Sequence, residues 1–333
     1  MQLILAELWE DAVFNEHSMA ALQRFSELTE ERHLKPEDAF EQCREDMYYS
    51  LSTSRNRNLI STFQQDRLRN TVVGFFGLSV GSNAAITWML ESRAKDVKIA
   101  DPDYVSPTNL NRLQFGWDSV GQLKVDVVAE FLLSINPFTR VVKVSEKSFE
   151  STKELFLGEN NLDIVVDAID DVQGKILLRR LCKEYKIPLV SAADVGDNVT
   201  LDIERYDLSP QPDFFLGRVP EIEKLDLSKL SENARRRTIV QLVGYEEHSE
   251  EMLSSLLGLG ETLGTWPQLG ATATIGGGVV TTVIKKIVLG EKVKSGRYYI
   301  SFDGLLASDY NSRERKEKRR ELIEKVEKKL NKI

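Results

Sequence analysis

The chain has 333 residues, 41% hydrophobic and 29% charged, the composition of an ordinary globular protein with ample material for a core. Its formal net charge of −8 argues against a general nucleic-acid binder. Two cysteines, Cys43 and Cys182, and three histidines, His17, His33 and His248, exclude a tetrathiolate zinc site and make a disulfide framework or structural zinc a poor expectation.

No basic-then-apolar leader and no apolar run of spanning length is read from the sequence, so a cytoplasmic protein without a membrane partner is expected. Residues 1–65 read as a helical extension. Leu3, Leu5, Leu8 and Trp9 are apolar at helical spacing, Met19, Leu22 and Phe25 repeat the pattern, and Pro36-Glu37-Asp38 suits a first helical turn. A cap, a dimer arm and a substrate-selecting module all remain open for it. Ser54-Arg55-Asn56-Arg57, by residue type alone, is a solvated basic loop.

From Thr71 strands and helices alternate. Strands are expected at Thr71–Phe76, Val97–Asp101, Val141–Val144, Asp163–Ala168 and Pro188–Ala192, with helices at Ser82–Arg93, Val120–Ile135 and Val172–Lys186. Several of these strands are near-continuous apolar runs, as when helices cover both faces of a parallel sheet. The expected fold is therefore a doubly wound, mostly parallel α/β sheet. Thr200–Tyr206 alternates like a half-buried antiparallel strand, and residues 209–238 are polar, proline-bearing and suited to a mobile loop over the site. Ile239–Leu257 and Leu269–Leu289 read as helices, the second interrupted by Gly276-Gly277-Gly278, and Arg297–Asp303 as a late strand. Residues 311–333 form a charged C-terminal helix, solvated or docked on a partner.

The chemistry gathers between Thr71 and Lys124. An apolar strand runs into a turn carrying Gly74, Gly77 and Gly81, then a helix, a second strand, and the acid Asp101. Glycines admit phosphate oxygens to the backbone, a helix N-terminus offers free N–H groups, and an acid about 20 residues on accepts ribose hydroxyls. The turn lacks the Gly-x-Gly-x-x-Gly spacing of dinucleotide sites, and its glycines also suit tight strand–helix packing.

Beyond the turn, Asp101-Pro-Asp103, Asn109-Leu-Asn111-Arg112, Gly121-Gln-Leu-Lys124 and Asp167-Ala-Ile-Asp170-Asp171 follow in order. In this the sequence resembles the ThiF/MoeB/ubiquitin-activating superfamily of adenylating enzymes over residues 54–205, with a weaker echo at Gln268–Gly290. The resemblance implies an ATP-binding adenylation domain over residues 66–310. It implies that Gly77, Ser79 and Gly81 form the phosphate turn, that Asp101, with Asp103 beside it, binds the ATP ribose, and that Asn109 and Arg112 hold the triphosphate. Lys124 would neutralise departing pyrophosphate and Asp170, rather than Asp171, would position Mg2+. An arginine from the second subunit of a homodimer would reach the phosphates, with Arg55 the first candidate and Arg57 the second.

The implied reaction is attack of a substrate carboxylate on the ATP α-phosphate. The resemblance implies as substrate a small molecule or the C-terminus of a ubiquitin-like or sulfur-carrier protein. A carboxylate is already ionised at neutral pH, so positioning and charge neutralisation suffice, and no Ser/His/Asp triad is needed. The sequence departs from the family in three ways: Ser79 stands where a glycine is usual, no Cys-x-x-Cys pair is present, and no cysteine follows Ala193. A cysteine thioester step is therefore not expected. Two other readings compete: a catalytically inactive partner of an active relative, and an NAD-dependent oxidoreductase. The latter gives no task to Asn109, Arg112 or Lys124.

Overall fold

The computed structural model describes residues 1–225 and 230–332; residues 226–229, within the polar segment 209–238, and Ile333, the end of the charged tail, lie outside the described residues. Three helices open the chain: α1 (Gln2–Ala12), α2 (Glu16–Ser26) and α3 (Pro36–Thr53). Asn15 caps α2 by accepting the His17 N–H, and α3 starts at Pro36 with Glu37 and Asp38 in its first turn. Leu8, Ala21, Leu22, Leu28, Ala39, Cys43 and Met47 close a small core of their own. Leu3 and Trp9 do not join it and are exposed. At about 100° per residue, Leu3 falls on the far side of α1 from Leu8, which faces α2 and α3. Helix α4 (Thr62–Arg69), started by a Ser61–Gln64 capping box, then leads into the sheet.

The sheet and its helices follow as β1 (Val73–Phe76), α5 (Val80–Ser92), β2 (Asp96–Ala100), α6 (Lys124–Ile135), β3 (Arg140–Val144), α7 (Phe149–Leu157), β4 (Ile164–Asp167), α8 (Val172–Tyr185), β5 (Leu189–Val195) and β6 (Asn198–Glu204). After them come α9 (Glu232–Val243), α10 (Glu250–Gly258), α11 (Gly270–Val288), β7 (Gly296–Ile300), α12 (Phe302–Leu306) and α13 (Arg313–Lys332). The seven strands lie in the order β3-β2-β1-β4-β5-β6-β7. Strands β1 to β5 run parallel, β6 is antiparallel to β5, and β7 antiparallel to β6. The doubly wound sheet with an antiparallel extension is thus as the sequence implied.

Alternation along the strands sorts the core. Val73, Phe75, Ile164 and Val166 meet Trp88 and Met89 of α5, Val128 and Leu132 of α6, and Val280 and Ile284 of α11 on one face. Phe76, Val165 and Leu189 meet Phe156 of α7 and Ile176, Leu178 and Cys182 of α8 on the other. Gly277 lets α11 close on α5: a Cβ there would lie 2.6 Å from the Asn83 carbonyl carbon. This helix corrects one expectation. Gly270–Val288 is long and apolar enough by length and composition to cross a membrane, but it packs on α5 and β5 as a core helix.

Other differences are local. Helix α6 begins at Lys124, not Val120, after a turn at Trp117–Ser119. The single helix expected over Ile239–Leu257 is two, α9 and α10. They part at Gly244, whose φ is +81° and whose Cβ would meet Arg218 and Arg297 at 2.9 Å. Segment 209–238 is not a free loop where it is described: Phe214, Phe215 and Ile222 are buried in the second core, and α9 already starts at Glu232. One face of helix α13 is docked within the chain, while its charged face stays exposed. Leu322, Ile323, Val326 and Leu330 pack on Leu253 and Leu256 of α10, and the buried Glu250 takes Arg315 and Lys318, each at 2.7 Å.

Candidate active site

Strands β1 and β4 are neighbours, but the helices that follow them, α5 and α8, pack on opposite faces of the sheet. A crevice therefore opens at their carboxyl ends, the topological switch point where open α/β sheets bind ligands. It holds a cavity of about 320 Å3 walled by Gly77, Ser79, Asp101, Asp103, Lys124 and Asp170, with Phe76, Phe149, Ile169 and Leu177 supplying apolar surface. Gly77 has φ +87°, and a Cβ on it would lie 2.3 Å from the Ala168 carbonyl oxygen. A Cβ on Gly81 would meet the Ala168 methyl at 3.0 Å. Both glycines thus bring α5 against the end of β4; Gly77 also walls the cavity, and Gly81 does not.

Asp101, just after β2, is nearly buried. Its Oδ2 accepts the Leu78 N–H at 2.6 Å and its Oδ1 accepts the Asp103 N–H at 2.8 Å. Burial raises its pKa, while Lys124 and the two N–H groups pull it back. A carboxylate has further lone pairs to offer, so these bonds leave room for ribose hydroxyls. Lys124, the first residue of α6, holds its Nζ 3.6 Å from Asp101 and 3.0 Å from the exposed Asp103. Asp170 walls the cavity with its carboxylate free of hydrogen bonds among the described residues. Asp171 is committed: its Oδ2 caps α8 by accepting the Gly174 N–H at 2.9 Å.

Arg112 and Asn109 stand beside the cavity, on the loop before α6, and do not wall it. The Asn109 side chain accepts the Ser106 N–H at 3.0 Å and so shapes its own loop. Arg112 donates from Nε to Ser79 Oγ at 3.1 Å and from Nη1 to the Thr108 carbonyl and Asn111 Oδ1. Ser79, the departure in the glycine turn, is therefore the residue that ties Arg112 to the cavity wall. Arg55 is exposed and is not part of this cavity's wall. Arg57 is bound instead to Asp11 and to the Ser54 carbonyl.

Sequence reasoning missed the group that fixes the end of β4. Asp167 is fully buried and takes Lys175 at 3.1 Å and Arg179 at 2.7 Å. Arg179 also reaches Glu204 at 2.7 Å and lies 3.6 Å over the Phe215 ring. Burial alone would strip these charges, but Glu204 and Asp167 hold Arg179 charged, and the two cations hold Asp167 below the usual carboxylate range. The triad clamps α8, β4 and β6 together beneath the loop that carries Asp170. The one hint in sequence was a charged residue, Arg179, among the apolar positions of α8. Asp194 on β5 and Gln268 before α11 were missed too. Both cysteines are fully buried, and burial pushes the Cys182 thiol well above its ordinary range.

The chain is 27% identical over 316 residues to an uncharacterized protein of Mycobacterium tuberculosis, covering 89% of this chain and 44% of that protein. It is 36% identical over 158 residues to the tRNA threonylcarbamoyladenosine dehydratase of Bacillus subtilis, covering 47% of this chain and 61% of that enzyme. The chain thus spans less than two thirds of the length of either relative. Among solved structures, MccB of E. coli, crystallised with AMPCPP and MccA, shares the fold with a TM-score of 0.54 at 17% identity, over 81% of this chain and 77% of MccB. The sequence model described as the ThiF family matches residues 53–323, and the chain belongs to that family.

Proposed function

We propose that the protein adenylates a carboxylate at the expense of ATP, releasing pyrophosphate, with no cysteine thioester step. The observation that carries this reading is the Lys124 ammonium held between Asp101 and Asp103 at the switch-point cavity, next to the unpartnered Asp170. A nicotinamide site has no use for a lysine there. Asp101 would accept the ribose hydroxyls, and the apolar walls at Phe149, Ile169 and Leu177 suit a base. Arg112, steadied by Ser79, would meet the triphosphate, and Lys124 would leave its two carboxylates for the phosphate charge. Crystallisation of MccB with an ATP analogue accords with ATP as the nucleotide.

Among the described residues no group of three or more His, Cys, Asp or Glu gathers to hold a metal. Mg2+ asks for less, commonly one or two carboxylates with water and phosphate oxygens, so a free Asp170 fits it. Bound there, Mg2+ would offset phosphate charge. In the reaction a substrate carboxylate oxygen forms a bond to the α-phosphorus, and the bond from that phosphorus to the bridging oxygen breaks. Pyrophosphate leaves with the electron pair. The net charge of −8 disfavours a polynucleotide substrate and leaves a small carboxylate or a polypeptide C-terminus. With Cys43 and Cys182 both buried, the adenylate passes to an acceptor other than a thiol of this chain. Arg55, exposed and outside its own cavity wall, is available to a second copy in a homodimer.

Pyrophosphate release from ATP, measured across a panel of carboxylic acids and peptides, tests the proposal. Release that depends on one class of carboxylate and disappears in Asp170→Asn is expected. Release of inorganic phosphate instead of pyrophosphate would refute it.

A further inference from the structure

Residues 168–171 carry the chain from the end of β4 into α8, and three of them are tied down. The Ala168 N–H extends the sheet by donating to the Phe76 carbonyl at 2.8 Å. The Ile169 N–H donates to Asp167 Oδ1 at 3.1 Å, and Asp171 gives its carboxylate to the Gly174 N–H. The first turn of α8 closes on this segment, since a Cβ on Gly174 would meet Ile169 Cγ2 at 3.3 Å. Asp170, between Ile169 and Asp171, walls the cavity with a free carboxylate, and its aim follows from theirs.

Asp167 holds this turn only while its own carboxylate is held. Arg179 Nη1 donates to its Oδ2 at 2.7 Å, but the same guanidinium also reaches Glu204 at 2.7 Å. Glu204 is fixed in turn by the Tyr206 hydroxyl at 2.6 Å and the Phe215 N–H at 2.9 Å. Lys175 serves Asp167 alone. Its Nζ donates to Oδ1 at 3.1 Å and to Oδ2 at 3.2 Å, with no other hydrogen bond or ion pair among the described residues. It lies one helical turn before Arg179 on the same face of α8, so both reach back to the end of β4. Burial is the largest influence on Asp167 and works against its charge; the Lys175 charge is the largest one opposing it, ahead of that of Arg179. Without Lys175, two buried acids would share one guanidinium, and Oδ1, which receives the Ile169 N–H, would lose the cation beside it. Buried ion networks add little stability over apolar packing, but their directional bonds admit few arrangements.

Resting on the adenylating reading above, we infer that Lys175 is a positioning residue for Mg2+ binding: through Asp167 it aims Asp170 at the nucleotide phosphates. Lys175 is not part of the cavity wall, so its effect on a metal there is indirect. Loss of such an outer partner commonly weakens metal binding about 10- to 100-fold.

The test is read in binding, on the whole chain. Affinity for AMPCPP is measured by calorimetry with Mg2+ and with EDTA, and the ratio of the two is the gain due to the metal. Lys175, 22% exposed, can be changed without opening a buried hole. Lys175→Met keeps the apolar stem and removes the charge, and Lys175→Gln repeats the test with a shorter neutral side chain. Both are expected to lower the gain about tenfold or more, towards the value in Asp170→Asn, with affinity in EDTA within about threefold of wild type. Leu178→Ala weakens the same helix through its buried face and leaves Asp167 untouched, so its gain should match wild type despite a lower thermal midpoint. A gain in both Lys175 variants within about threefold of wild type overturns the inference, as does an equal loss in Leu178→Ala, which would make the effect one of helix stability. A full gain in Asp170→Asn, or none in wild type, removes Asp170 from the metal and the inference with it. If AMPCPP binds under neither condition, the adenylating reading itself fails.

Discussion

Lys124 is held between two carboxylates, Asp101 and Asp103, at the cavity. Lys124→Ala is expected to lower pyrophosphate release by a hundredfold or more, the usual scale for one charge-stabilising group at a phosphoryl or acyl centre. Release within threefold of wild type would remove Lys124 from the mechanism. Ser79 acts more weakly, through one hydrogen bond to Arg112. Losing about 1 kcal/mol predicts roughly a fivefold drop for Ser79→Ala, seen in kcat/KM for ATP.

His248 supplies a test of stability at the same scale. It is buried, neither ring nitrogen has a partner among the described residues, and burial lowers its pKa to about 4, with Arg297 and Arg218 adding to the effect and Glu246 opposing it. The unfolded chain recovers a value near 6.5, so between these two values the unfolded state binds the additional proton. Stability therefore falls as pH falls through that window, by about 2 kcal/mol from this residue at pH 5. Urea unfolding of His248→Phe at pH 7 and pH 5 should show a smaller loss than wild type by that amount; parallel losses would contradict it.

Among the elements, β1 to β5 were legible because each is an apolar run punctuated by glycine, proline or an acid, signals carried by neighbours in sequence. What escaped depended on partners far along the chain. Gly244 breaks α9 from α10 because Arg218 and Arg297 fill the space of a side chain, and nothing in residues 239–257 announces that. The partners of Arg179 and Asp194, Glu204 and Gln268, likewise lie far along the chain. The stripe of α13 was visible, but its destination on α10 was not. That packing predicts that Val326→Asp, which buries a charge among Leu253 and Leu256, frees the helix. Limited proteolysis should then cut within residues 313–332 at least tenfold faster than in wild type; unchanged cleavage would place the helix elsewhere.

For the whole molecule, the open question is the second copy. The cavity wall of one chain contains no arginine, although Ser79 on that wall holds Arg112 beside it, and Arg55 stands exposed elsewhere. If Arg55 serves a neighbour, Arg55→Ala and Lys124→Ala proteins are each inactive. Mixing them restores activity towards a quarter of wild type, because half of the dimers are mixed and each carries one intact site. No recovery on mixing would remove the trans arrangement. The central claim, a nucleoside triphosphate at the switch-point cavity, needs neither a substrate nor a dimer. It is tested most directly by the thermal midpoint with Mg-AMPCPP, AMPCPP with EDTA, and NAD, on wild type and Asp101→Ala. Ligand at about a hundred times its Kd stabilises the folded state by about 2.7 kcal/mol, a shift of several degrees. The account predicts that shift for Mg-AMPCPP alone, reduced with EDTA and lost in Asp101→Ala; a shift with NAD and none with Mg-AMPCPP would contradict it.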